Sequence, residues 1–128
     1  MSAIVLVFVG AGLGGVLRHA VTLAAARALG LGFPWGTLLV NVLGSLAMGL
    51  VVGWLAARAD QPWSGPARLL LATGVLGGFT TFSAFSLDAV SLWERGAFGL
   101  SAAYVASSVA ASLGALVLGL AVARGLAP

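Results

Sequence analysis

Ten consecutive residues, Gly77-Gly78-Phe79-Thr80-Thr81-Phe82-Ser83-Ala84-Phe85-Ser86, combine a double glycine, four hydroxyls and phenyl rings at every third position. The run lies within residues 69–87, a stretch without formal charge that is long enough to cross a bilayer as a helix. Glycine weakens a helix, and irregular or hydroxyl-rich backbone at membrane depth is tolerated only where it is buried in protein or lines a watery path. The chemistry on offer is therefore coordination of something small and polar. Hydroxyls donate hydrogen bonds to an anion. Phenyl rings carry a positive edge, so Phe79, Phe82 and Phe85 could border an anion route without the full charge that would trap the ion. An aromatic stripe is ordinarily packing; the company of Thr80, Thr81, Ser83 and Ser86 favours the route.

Two further polar stripes run along apolar stretches. Thr37, Asn41 and Ser45 fall at i, i+4 and i+8, on one helical face, and Tyr104, Ser108 and Ser112 repeat the spacing. The Asn41 amide donates two hydrogen bonds and is costly to leave unpaired in hydrocarbon. It therefore either ties two helices together or faces a polar path. Serines in the second stripe have an equally ordinary use, bonding back to carbonyls of their own helix. Arg18 is the one base well inside an apolar stretch. An uncompensated Arg at the bilayer centre costs about 3 to more than 10 kcal/mol, so it snorkels to the interface or faces a vestibule that draws anions. With one His and three acids in the chain, no catalytic triad, metal-ligand cluster or phosphate loop can be assembled, and an enzyme is not expected.

The elements that must hold these residues are membrane helices. Of 128 residues, 61% are hydrophobic and 7% charged, and mean hydropathy is +1.14. Soluble domains carry about 25% charged residues, so this chain cannot cover itself with a water-compatible surface. The expectation is an all-α integral membrane protein embedded in the lipid bilayer. Its single transmembrane domain, 1–128, has four helices, near 3–27, 34–57, 67–93 and 98–123, the third of them broken. The pI near 11.3 does not indicate nucleic-acid binding: all six bases are Arg, none is clustered, and most fall at span ends. Absence of Cys excludes disulfides and thiolate metal sites. No basic segment precedes the first apolar stretch, so a cleaved signal peptide is not expected.

Four spans put Arg58, Arg68 and Arg124 on one side and Arg27 and Arg95 on the other. Orientation follows an excess of basic residues in cytoplasmic loops, and three against two is a weak bias. Lipid or Arg18 decides, or the chain inserts both ways round. In the second case two copies can pair about an axis in the membrane plane, as inverted repeats do within larger transporters. Small residues four apart, such as Gly10 and Gly14 or Gly49 and Gly53, permit close association of helices.

The run Gly77 to Ser86 resembles the signature of the Fluc (CrcB-type) fluoride channels of bacteria. The segments Gly36-Thr37-Leu38-Leu39-Val40-Asn41-Val42-Leu43-Gly44-Ser45 and Gly14-Gly15-Val16-Leu17-Arg18 are similar as well, so the resemblance covers the whole chain. It implies a dual-topology antiparallel homodimer with two pores in the bacterial inner membrane, passing fluoride out of the cytoplasm without an energy source. It further implies a structural sodium ion at the dimer centre, held by the backbone carbonyls of Gly77 and Thr80. Phe82 and Phe85 would be the family's phenylalanine pair, Asn41 its pore asparagine, and Tyr104 and Ser108 its polar track. Thr37, Thr81, Ser83 and Ser112 are candidates for the same track, and Arg18 matches the first-span arginine at the vestibule. His19 departs from the pattern, standing where an aromatic is expected. The rivals are a small dimeric multidrug or cation exporter, which needs an intramembrane carboxylate, and a scaffold whose glycines and hydroxyls only pack helices.

Overall fold

The computed structural model describes residues 2–126. Four helical spans are long and apolar enough to cross a membrane: Ala3–Leu29, Trp35–Ala56, Ser64–Glu94 and Phe98–Leu126. The first two, α1 and α2, are continuous helices. The third is composite: α3 (Ser64–Arg68), a π-helical stretch over Leu69–Leu76, one turn α4 (Gly77–Phe79), and α5 (Phe82–Glu94). The last, α6 (Phe98–Leu126), is again continuous. Ser2 caps α1 by accepting from the Val5 amide. Gly30 and Gly96, at φ of 80° and 78°, supply the positive-φ positions that end α1 and lead from α5 to α6.

Packing is set by missing side chains. In hydrocarbon no hydrophobic effect drives helices together, so close backbone approach must supply the attraction. A Cβ on Gly10 would lie 2.8 Å from the Gly74 Cα, and one on Gly14 would overlap the Val75 carbonyl. The same holds between α2 and α6, where a Cβ on Gly49 would lie 2.8 Å from the Leu120 amide and 3.0 Å from the Gly119 Cα. Contacts climb both partners together, so α1 runs parallel to the third span and α2 parallel to α6. On the third span the residues facing α1 recur at Leu70, Gly74–Val75 and Gly78–Phe79. Steps of four and five exceed the 3.6-residue α period, and the π stretch keeps them on one line.

The third span breaks, but not at its double glycine. Gly77 and Gly78 are helical, and the chain turns extended at Thr80 (ψ 157°) and Thr81 (φ −153°, ψ 116°). Gly78 is needed for proximity instead: a Cβ there would lie 2.9 Å from the Ala11 Cα. The break also divides the phenylalanine stripe. Phe79 belongs to α4 and packs on Gly44, while Phe82 and Phe85 open α5 with ring centroids 5.4 Å apart.

Candidate functional site

At the break the helical ladder is replaced by side chains. In an unbroken helix the Thr81 amide would donate to the Gly77 carbonyl and the Ala84 amide to the Thr80 carbonyl. Here the Thr81 N–H donates to Asn41 Oδ1 at 2.8 Å, and Asn41 Nδ2 donates to the Thr81 carbonyl at 3.0 Å. The Ala84 N–H donates to Thr81 Oγ1 at 3.1 Å, an N-cap on α5. Both rerouted amides therefore release the carbonyls of Gly77 and Thr80 from the ladder. Asn41 is helix glue, clasping both polar groups of Thr81, and it also borders a cavity.

That cavity, about 460 Å³, is walled by α2, α6 and the break. Asn41, Thr80, Thr81, Phe82, Phe85, Ser108 and Ser112 line it, together with Ser45. Ser83 is not in its wall but pairs through its hydroxyl with Thr81 Oγ1 at 3.3 Å. Ser86 and Thr80 bond back to their own helix, to Phe82 and Leu76 carbonyls at 2.9 Å each. Ser108 does not: its Oγ is buried and is the one buried side-chain polar atom without a partner among the described residues. Phe85 is buried, whereas Phe82 is 77% exposed on the flank of the bundle. The first turn of α5, with its positive dipole end, thus faces the cavity at Thr81 and Phe82.

Thr37 lies elsewhere. It lines a second cavity of about 230 Å³ toward the other end of the bundle, with Thr22, Phe33, Asp88, Ser91 and Arg95. Tyr104 stands between the two. Fully buried, it packs on Phe33 at 5.5 Å and Phe85 at 5.3 Å, one ring from the wall of each cavity. Its hydroxyl donates to Asp88 Oδ2 at 3.1 Å, so that proton is committed to a carboxylate. Asp88, half-buried on α5, is tied to α6 by this bond. The one hint was its position three residues after Phe85, on the same face of α5. Arg18, half-buried on α1, borders neither cavity, and His19 is exposed.

The family model described as "CrcB-like protein, Camphor Resistance (CrcB)" matches residues 5–120. A protein of Methylobacterium nodulans named fluoride-specific ion channel FluC is 60% identical over 118 residues, 92% of this chain and 93% of the relative. One of Nitrobacter hamburgensis, named fluoride-specific ion channel FluC 2, is 56% identical over 123 residues, 94% of this chain and 96% of its own length. The FluC of Agrobacterium fabrum is 52% identical over 126 residues, covering 98% and 99%. Four apolar spans, a break clasped by Asn41 and this end-to-end similarity agree, and the chain belongs to the CrcB-like family.

Proposed function

We propose that this multi-pass membrane protein is a fluoride channel of the bacterial inner membrane, and that the cavity bordered by Asn41 and Ser108 is part of its ion path. The observation that carries the reading is the Ser108 hydroxyl, buried beside the cavity with its proton unspent. A buried polar group without a partner is costly, and a small anion accepts such a proton. Asn41, Thr81 and Ser112 extend the set of polar groups, and the edges of Phe82 and Phe85 border it. Fluoride enters a cell as neutral HF and ionises in the less acidic cytoplasm, where the anion is trapped. A passive pore empties it outward, since a negative-inside potential contributes about 2.3 kcal/mol per charge per 100 mV.

The working unit is a homodimer of oppositely inserted chains. The cavity opens on the flank where Phe82 is 77% exposed and Leu113 63%, so a second copy would complete the wall that lipid otherwise supplies. The carbonyls of Gly77 and Thr80 fit a hard monovalent cation, being oxygen ligands freed by the rerouted amides of Thr81 and Ala84. Sodium bound there would join the breaks of two chains by neutralising four inward carbonyl dipoles. Tyr104, Thr37 and Ser83 continue the polar track, and Arg18 lies at a vestibule.

Liposomes loaded with fluoride and potassium test the conduction reading. Opening a potassium path with valinomycin should release fluoride within seconds, register on a fluoride electrode, and leave chloride behind. Fluoride that stays trapped in proteoliposomes as it does in empty ones refutes the proposal. Labelling of a single terminal tag from both faces of intact cells is the expected result for opposite insertion; protection on one face refutes it.

A further inference from the structure

We infer that Gly44 is a positioning residue for the break, a socket whose missing side chain fixes Thr80 and thereby aims its carbonyl. The inference rests on the channel reading above. Gly44 lies mid-helix in α2, where no turn calls for glycine and a larger residue would favour the helix. The reason for its smallness is across the interface. A Cβ on Gly44 would overlap the Thr80 Cγ2 and lie 3.2 Å from Phe79 Cδ2.

Both branches of the Thr80 side chain are therefore held. Its hydroxyl donates to the Leu76 carbonyl at 2.9 Å, and its methyl fills the space over Gly44. Thr80 is also the first residue to leave the helix, at φ −83° and ψ 157°. Three residues earlier on the same face of α2, Asn41 holds Thr81 by two hydrogen bonds. Helix α2 thus grips consecutive residues of the break at two points, one apolar and one polar. The Thr80 peptide carbonyl lies between them. That carbonyl shares a planar peptide with the Thr81 N–H, so a shift of Thr80 off its seat on Gly44 moves the carbonyl and strains the Asn41 bond together.

Gly44→Ala forces the Thr80 methyl away by about 1 Å to restore ordinary contact. A displacement of that size at a site needing exact geometry costs up to about 100-fold. The diagnostic variant is Gly44→Ala with Thr80→Ser, which deletes the obstructing methyl and keeps the hydroxyl and carbonyl. Full-length variants are compared in fluoride proteoliposomes across a sodium series. Gly44→Ala should lower efflux about tenfold or more and raise the sodium needed for half-maximal efflux, and the double variant should restore both. Gly49→Ala, whose Cβ would meet Leu116 and Leu120 backbone instead, should not be restored by Thr80→Ser.

The inference is overturned if Gly44→Ala conducts within about threefold of the native chain at every sodium concentration. Failure of Thr80→Ser to restore it, or equal restoration of Gly49→Ala, also overturns it. Where Gly44→Ala cannot be purified, recovery of folded double variant replaces efflux, and no recovery counts against the socket. A native chain that passes no fluoride refutes the channel reading alone; thermal unfolding of the same variants then decides whether Gly44 and Thr80 are coupled.

Discussion

Replacing Asn41 by Asp exchanges one NH2 group for an oxygen and separates the two jobs the residue holds. The acceptor for the Thr81 amide survives, but the donation from Nδ2 to the Thr81 carbonyl at 3.0 Å is lost and a carboxylate oxygen faces that carbonyl instead, at about 1–3 kcal/mol or more in stability. For conduction the charge matters more. A carboxylate about 6 Å from a passing fluoride, at an effective dielectric constant of about 20, raises its energy by about 3 kcal/mol. Since 1.36 kcal/mol is a factor of ten in rate, efflux should fall about 100-fold. Asn41→Ala gives the opposite balance. It leaves both polar groups of Thr81 without partners, at about 1–3 kcal/mol each, and adds no charge. The assay pairs fluoride-electrode efflux with thermal unfolding in detergent on the same preparations. Asp should conduct worse than Ala and unfold at a higher temperature. Folded Asn41→Asp protein that passes fluoride within about threefold of the native rate would show that the side chain does not face the ions.

Three other substitutions probe separate parts of the argument. Ser108→Ala removes a hydroxyl that has no internal partner, so thermal stability should hold or rise, by up to about 1–3 kcal/mol, while efflux falls about tenfold or more, the worth of a hydrogen bond to an ion. Tyr104→Phe leaves Asp88 without its donor inside the bundle and should cost about 1–3 kcal/mol in denaturation experiments. Gly78→Ala should destabilise by about 1–3 kcal/mol through collision with Ala11, whereas Gly12→Ala, which meets nothing within 4 Å, should be neutral or stabilising in the same assay.

Spans and composition were legible because hydrocarbon imposes a length and forbids charge, and both constraints are local. The place of the break was not. A double glycine marks backbone freedom, yet Gly78 spends it on contact with Ala11, and only the fold decides which use prevails. The clasp on Thr81 joins residues 40 apart, and the Tyr104–Asp88 bond joins residues 16 apart. No periodicity reports such pairs. The stripe from Thr37 to Ser45 was right about the face and silent about depth. Eight residues rise about 12 Å, enough to carry Thr37 past the Phe33–Tyr104–Phe85 stack into a different cavity.

The asymmetry of the break is what would let it serve the two ions of opposite sign proposed above. Three of its amide donors are committed: Thr80 N–H goes to Leu76, Thr81 N–H to Asn41 and Ala84 N–H to Thr81 Oγ1, while those of Phe82 and Ser83 open the new helix. The carbonyls of Gly77 and Thr80 lose the donors they would have had, so the surplus on the α4 side is negative and suits a cation. On the α5 side the helix begins afresh, and its positive end meets the cavity that Ser108 borders. Half-helices that turn carbonyl ends to cations and amide ends to anions are how membrane proteins serve both. Asn41 stands at the junction, accepting from one peptide and donating to the next. An unbroken rod would cancel both poles within its own ladder, and neither ion would find a partner there.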